Sequence, residues 1–150
     1  MRHVWIFAHL LGFVLWLGGG IGAMMLGLYL KRVPRDQLGQ GARHLAVLYQ
    51  RLMLPGSVLT VASGLVLTMI MFGGGTGAAS HALMTMQATG LLGAIVTLLV
   101  LVPNAGRLTR LDPVTQAQQF DALRQRQART GMVSGLLGLI ALVTGALGRP

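Results

Sequence analysis

The chain contains no cysteine and no glutamate, and its acidic residues are three aspartates, Asp36, Asp112 and Asp121. Without cysteine it forms no disulfide, thiolate zinc site, iron–sulfur cluster or covalently attached c-type haem, and it has no cysteine nucleophile. Charged residues make up 10% of the 150 residues and aromatic residues 5%. So few charges cannot cover a water-soluble surface, which excludes a conventional soluble enzyme.

Hydrophobic residues, in contrast, make up 53% of the chain, and the mean hydropathy is +0.68. They form four uncharged apolar runs, at 4–30, 52–72, 82–102 and 131–147. The first three are long enough to cross roughly 30 Å of hydrocarbon at about 1.5 Å per residue, and the fourth is near the lower limit. The sequence therefore predicts an all-α integral membrane protein, with one four-helix transmembrane domain over residues 1–150.

The positive charges predict the orientation of this bundle. Ten of the twelve Lys and Arg residues lie in the connections 31–51 and 103–130. Because positively charged connections stay in the cytoplasm, we expect both termini on the outer, periplasmic side of a bacterial inner membrane. This distribution favours a lipid bilayer over nucleic acid as the partner of the basic residues. Asp112 and Pro113 predict a helix start, and Val114, Ala117 and Phe120 then predict a half-apolar stretch at the lipid interface.

Small residues four positions apart indicate where the helices approach each other. Glycines at such spacings allow close backbone contact in lipid, and some of them could instead leave a slot for a flat ligand. The first span offers Gly18 with Gly22 and Ala23 with Gly27; the later spans offer Gly56, Thr60 and Gly64, then Gly90 and Ala94, then Gly131 and Gly135, and Ala141 and Gly145.

His9 is the one histidine well inside a predicted span. An imidazole in hydrocarbon needs a partner, and two interpretations remain open. In the first, His9 is hydrogen-bonded to a neighbouring hydroxyl or carbonyl. In the second, it is an axial ligand of a haem between the helices: Gly12, one turn on, would admit the edge of the macrocycle, and Trp16, two turns on, would pack against it.

A second axial ligand would come from another helix. His3 is offset from His9 by roughly 120° around the helix and cannot share its site. His81, near the start of the third span, lies on the same side of the membrane and would give bis-histidine ligation, although its position also suits an interfacial histidine in water. His44 lies among arginines at the surface. Arg2 is the expected counter-charge for the haem propionates.

Two segments carry a resemblance to a known family. The run AHLLGFVLWLGG at 8–19 resembles the first helix of the HemJ-type protoporphyrinogen oxidase family and its CopD-like relatives, where a histidine precedes a tryptophan by seven residues. RLMLPG at 51–56 with LTVASG at 59–64 is similar to the second helix, and AGRL at 105–108 is a weaker match. The resemblance implies a small membrane protein with haem b ligated by His9, and an oxidoreductase that oxidises a porphyrinogen or passes electrons to a quinone.

One departure from that family shapes the expected function. The oxidases carry a lysine in their third helix, whereas the single lysine here is Lys31, in the first connection. We therefore expect a haem protein for electron transfer, or one with a degenerate porphyrinogen-oxidase-like activity. The alternatives are a CopD-like copper transport protein and a cofactor-free accessory subunit of a larger membrane complex. In each case we expect a homo-oligomer or a subunit of a complex.

Overall fold

A computed structural model describes residues 2–72 and 81–147, and every element in these two ranges is helical. Two of the long helices contain a π-helical segment of five residues, and a 3₁₀ turn at Arg35–Gln37 precedes the second helix. In chain order the elements are α1 (Arg2–Tyr29), α2 (Leu38–Leu48), the first π segment (Tyr49–Met53), α3 (Leu54–Phe72), α4 (His81–Val96), the second π segment (Thr97–Leu101), α5 (Val102–Leu108) and α6 (Ala117–Leu147).

Four helical stretches are long and apolar enough to cross a membrane, which matches the number of spans predicted from the sequence. They cover Arg2–Tyr29, Arg35–Met71, His81–Leu108 and Ala117–Leu147. The second and fourth begin well before the predicted apolar runs. Their first parts contain arginines, which end a run of high hydropathy, but no proline lies in these first parts and the helix continues through them. The helices therefore extend beyond the apolar runs, as the helix start predicted at Asp112 and Pro113 implies for the fourth stretch.

The helices associate as two pairs, with α1 along α3 and α4 along α6. Trp16 of α1 lies against Gly93 of α4, and Leu17 contacts Gly138 of α6, so the two pairs meet near the middle of the bundle. Beyond this level, α1 and α6 continue towards the end of the bundle that carries Lys31 and Arg124, here called the basic end. The helices diverge there, and α2 forms the third wall of the space between them.

Glycine sets the closest approach within each pair. A Cβ atom on Gly56 would lie 2.6 Å from the backbone nitrogen of Trp16, and one on Gly145 would lie 2.7 Å from the sulfur of Met86. The predicted contacts of the second and fourth spans are thus confirmed for these residues. A Cβ atom on Gly18, Gly27 or Gly135 would meet no neighbouring element within 4 Å, so the packing role predicted for these three is wrong. A four-residue spacing defines one helix face, but it does not say whether another helix covers that face.

The connection between α5 and α6 contains the predicted cap. The Asp112 carboxylate accepts hydrogen bonds from the backbone N–H groups of Val114 (2.7 Å) and Thr115 (3.3 Å), and these bonds lower its pKa below the ordinary value. The regular helix then begins at Ala117. Phe120 is 1% exposed and belongs to the protein core, so its predicted position at the lipid interface is wrong.

Candidate functional site

His9 lies in the contact between α1 and α3. Its Nδ1 atom is 2.9 Å from the backbone oxygen of Thr60 and 3.3 Å from the hydroxyl oxygen of Ser63. A carbonyl only accepts hydrogen bonds, so Nδ1 carries the ring hydrogen and donates it. In the neutral tautomer this leaves Nε2 unprotonated, with its lone pair available to a metal or to a hydrogen-bond donor.

The α3 side of this contact is built from small and hydroxylated residues. The Ser63 hydroxyl donates to the carbonyl oxygens of its own helix, and the Thr60 hydroxyl donates to Gly56, so both hydroxyls are satisfied within α3. A Cβ atom on Gly64 would lie 3.1 Å from Cε1 of His9. The missing side chain at Gly64 therefore makes room for the imidazole ring against α3.

Gly12, one turn after His9, is packed tightly against the same helix. A Cβ atom there would lie 2.7 Å from the backbone nitrogen of Thr60 and 2.9 Å from the backbone oxygen of Gly56. The space that was predicted to admit the edge of a macrocycle is therefore filled by the backbone of α3. What Gly12 does in this structure is let α1 and α3 come close enough for the bond between His9 and Thr60.

Trp16 contacts a different pair of helices from His9. It is 4% exposed, and its indole N–H donates to the hydroxyl of Thr97 at 3.0 Å. The Thr97 hydroxyl donates to the carbonyl of Gly93 and lies 3.0 Å from the hydroxyl of Ser134 in α6. Trp16 thus belongs to a buried polar cluster that joins α1, α4 and α6. His9 extends from the same helix, α1, but its ring contacts α3.

His81 does not lie beside His9. It is exposed at the first residue of α4. Gln87 of α4 fixes the relative height of the two helices, because its amide donates to Thr68 of α3 at 2.7 Å. Gly64 lies at the height of His9, and Thr68 follows it by four residues. His81 precedes Gln87 by six residues in the same direction, so at about 1.5 Å per residue His81 lies roughly 15 Å beyond His9 along the bundle. Two axial nitrogens on one metal are about 4 Å apart, since each imidazole–metal bond is about 2 Å. His81 is therefore too far from His9 to bind the same metal.

The other predicted site residues lie at the surface. Arg2, the predicted partner of the propionates, is the exposed first residue of α1. His3 and His44 are exposed as well. Within residues 2–72 and 81–147, no three His, Asp or Glu side chains come together as a group that could hold a metal ion. The structure therefore brings His9 together with Thr60 and Ser63, and not with Arg2, Trp16 or His81.

A large cavity in the described chain lies elsewhere, and the sequence did not predict it. This groove has a volume of about 1210 Å³ and lies between α1, α2 and α6, from Trp16 and Leu139 near the middle of the bundle to Lys31 and Asp121 at the basic end. Ligand pockets for drug-sized molecules are about 300–1,000 Å³. The groove is larger than these, and most of the residues that line it are apolar.

A few polar groups lie on the floor of the groove. Gln127 is 3% exposed; its amide nitrogen donates to the carbonyl of Leu101 at 3.0 Å, while its side-chain oxygen has no partner in the described chain. Tyr49 and Ser134 line the same surface. The sequence contained one signal for this helix, because four of the five buried residues of α6 recur every seven positions, at Phe120, Gln127, Ser134 and Ala141.

The mouth of the groove at the basic end is positively charged. Lys31, Arg124 and Arg129 line it, and none of them forms an ion pair with an acidic residue of the described chain. Asp121 also lies there, but its carboxylate accepts a 2.6 Å bond from Arg35. Three cations thus border an apolar space with a single acidic residue whose charge is already paired.

No known protein family, curated protein or solved structure matches this chain. The resemblance to the HemJ-type and CopD-like proteins therefore remains a prediction from the motifs at 8–19 and 51–64. The functional argument depends on the geometry of the chain itself.

Proposed function

We propose that this chain is a multi-pass membrane haem protein in which Nε2 of His9 is the axial ligand of a haem b. The observation that carries the proposal is the 2.9 Å hydrogen bond from Nδ1 of His9 to the backbone oxygen of Thr60. Histidines that bind a metal almost always donate their other ring N–H to a carbonyl, a carboxylate or water, which fixes the tautomer and makes the ligating nitrogen more basic.

The surroundings of His9 suit this role in two further ways. Gly64 leaves space for the ring, and the Ser63 hydroxyl provides a second acceptor for the same N–H group, so the ring has one preferred orientation. Both features come from α3, whose contact with α1 is closed by Gly12. A ligand held by a close backbone contact keeps its geometry, as an axial bond requires.

The same geometry favours one histidine ligand over two. His81 is exposed and lies too far along the bundle to share a metal with His9. We therefore propose a haem with an open sixth position, in place of the closed bis-histidine site expected from the sequence. A bound haem would supply one-electron chemistry and a site for a small ligand, and a quinone or a porphyrinogen remains the proposed class of redox partner.

Absorption spectroscopy of the protein purified from membranes tests the proposal. We expect a Soret band that shifts on reduction with dithionite and again on addition of carbon monoxide. His9→Ala should abolish this band, whereas His44→Ala and His81→Ala, which change exposed histidines, should retain it. Full haem occupancy in the His9→Ala protein would contradict the assignment, and a carbon monoxide-insensitive spectrum that becomes sensitive in His81→Ala would restore bis-histidine ligation.

A glycine substitution distinguishes a ligand from a spectator. In Gly64→Ala the new methyl group would meet Cε1 of His9 at 3.1 Å, so the ring must move by a few tenths of an ångström. We expect weaker haem retention and a shifted Soret maximum. Gly90→Ala is the matched control, because its methyl group would meet Ala141 at an ordinary 3.9 Å. Identical spectra for the two variants would show that the ring of His9 does not contact the metal.

A second candidate function is a cofactor-free accessory subunit of a larger membrane complex. The observation in its favour is that the bond between His9 and Thr60 also satisfies a half-buried imidazole without any metal. A colourless protein that is destabilised by His9→Ala would support it. A copper transport role has less support, because Met24, Met25, Met69 and Met71 are each more than half exposed and form no interior line of sulfur ligands.

A further inference from the structure

The groove between α1, α2 and α6 has the shape of a site for one lipid of one leaflet. On α1 its walls extend from Trp16 to Lys31, or about 22 Å at the helical rise per residue. One leaflet contributes about 15 Å of hydrocarbon, and the headgroup region adds a few ångströms more. The length of the groove therefore matches the distance from the headgroups to about the middle of the bilayer.

The walls of the groove match a hydrocarbon chain. Gly27 of α1 and Gly135 of α6 line it, and apart from the adjoining turn of its own helix no atom of the described residues lies within 4 Å of the position where a Cβ atom of either would be. No side chain of the described protein fills this space. In a bilayer this space cannot remain empty or hold bulk water, because the apolar walls around a volume of about 1210 Å³ would then have no apolar contacts.

The mouth of the groove selects the headgroup. Lys31 and Arg129 are exposed and Arg124 is half-buried, and none of the three is paired with an acidic residue of the described chain. Their long side chains can reach a phosphate at the interface while their methylene groups remain on the apolar wall. A neutral molecule would leave these cations unpaired, whereas an anionic headgroup would pair with them.

We infer that the groove binds an anionic phospholipid, with its acyl chains between α1 and α6 and its phosphate among Lys31, Arg124 and Arg129. The inference does not depend on haem, because His9 lies at the interface with α3 and does not line the groove.

Tryptophan fluorescence provides a direct test. The chain has two tryptophans. Trp16 lies at the deep end of the groove, whereas Trp5 lies near the start of α1 and does not line the groove. In a Trp5→Phe background, the protein is reconstituted in vesicles of phosphatidylglycerol and phosphatidylcholine at one fixed ratio. Bromine atoms on the acyl chains are placed on one lipid or on the other, so the bilayer is the same in both samples. We expect brominated phosphatidylglycerol to quench Trp16 several-fold more strongly than brominated phosphatidylcholine.

Variants of the mouth test the headgroup. Lys31→Gln and Arg124→Gln should each weaken the preference for phosphatidylglycerol by roughly fivefold, because each cation near the surface contributes about that factor. Arg51→Gln removes an exposed arginine that does not line the groove and should leave the preference unchanged. Equal quenching by the two brominated lipids in the unsubstituted mouth would overturn the inference.

Variants of the walls test the position of the chains. Gly27→Leu and Gly135→Leu fill the groove and should abolish the selective quenching, whereas Gly18→Leu, which adds the same side chain in open space outside the groove, should not. Circular dichroism checks that each variant is folded, and either wall variant suffices. Two other occupants have distinct outcomes that would refute the inference: weak quenching together with cross-links between α6 helices identifies a second copy, and quenching by an added quinone but by neither lipid identifies a neutral ligand.

Discussion

The contact at Gly12 provides the sharpest test of how α1 and α3 associate. In Gly12→Ala, the new methyl group would lie 2.7 Å from the backbone nitrogen of Thr60, 2.8 Å from its hydroxyl oxygen and 2.9 Å from the backbone oxygen of Gly56. Unbonded carbon contacts have their optimum at about 3.5–4.0 Å. Two of the three opposing atoms belong to the backbone, so no side-chain rotation relieves the clash and the helices must separate by up to about 1 Å.

The size of the effect follows from two opposing terms. Overpacking a closed contact costs about 1–3 kcal/mol. Replacing glycine by alanine inside a helix contributes about 1 kcal/mol in the opposite direction. Gly18→Ala, in the same helix, gains the helix propensity without any overpacking, since no neighbouring element lies within 4 Å of its Cβ position. The propensity term cancels between the two variants, and Gly12→Ala should be less stable than Gly18→Ala by about 1–3 kcal/mol.

Unfolding in mixed micelles, titrated with SDS and followed by circular dichroism, measures this difference. Thr60 takes part in both contacts, since its carbonyl accepts the bond from His9, so Gly12→Ala should also weaken haem retention if His9 is the ligand. Equal stability of Gly12→Ala and Gly18→Ala within about 0.5 kcal/mol would refute the close contact between α1 and α3. A destabilised variant with unchanged haem retention would separate the packing of α1 from the function of His9.

Three further predictions concern other parts of the chain. Thr97→Val leaves the indole N–H of Trp16 without its acceptor and should cost about 1 kcal/mol in the same titration, whereas Thr97→Ser should be close to neutral. The lowered pKa of Asp112 means that its cap stabilises the fold above the ordinary pKa of 3.8 and is lost as the pH falls through the lowered value; Asp112→Asn should remove this pH dependence of unfolding. A reporter fused after Pro150 should be active only outside the cytoplasm, and cytoplasmic activity would refute the orientation.

The number of spans was predictable because lipid imposes the same requirement on every span. A crossing segment must satisfy its own backbone hydrogen bonds and must be apolar over about 20 residues. The boundaries were less predictable, as α2 illustrates. Arg43 and His44 lie on its exposed side, and Ala42 and Leu45 on its buried side, so the helix continues through a stretch whose average hydropathy is low.

His9 was predictable as a residue of interest, and its neighbours were only partly so. A histidine in an apolar run must have a partner, and the hydroxyl or carbonyl that was one of the two interpretations is present as Thr60. Whether Gly12 faces a ligand or a helix depends on the rotation of α1 about its axis. Gly12 and Trp16 follow His9 by three and seven residues, so all three lie on roughly the same face of α1. The sequence therefore could not show that Gly12 contacts α3 whereas Trp16 contacts α4.

The groove was not predictable, because it results from a contact that α1 and α6 do not make. Lipid is as apolar as leucine, so helices in a membrane associate only where small residues permit close packing or where polar groups bond across the interface. Both occur around Trp16, where Leu17 meets Gly138 and the cluster of Thr97 and Ser134 joins three helices. Towards the basic end the polar cluster ends, and small residues such as Gly27 and Gly135 line the groove with no neighbouring side chain within 4 Å of their Cβ positions.

The divergence of α1 and α6 therefore has a physical cause that also constrains what lies between them. Towards the basic end, Gly27 and Gly135 face open space, and the positive charges of Lys31 and Arg124 repel each other across the mouth. Direct closure would bring these two cations closer together, and the one acidic residue that lines the groove, Asp121, is already paired with Arg35. An anionic amphiphile removes both obstacles, since its chains fill the space and its headgroup neutralises the mouth. Delipidation should consequently destabilise the basic half of the bundle more than the contact between α1 and α3.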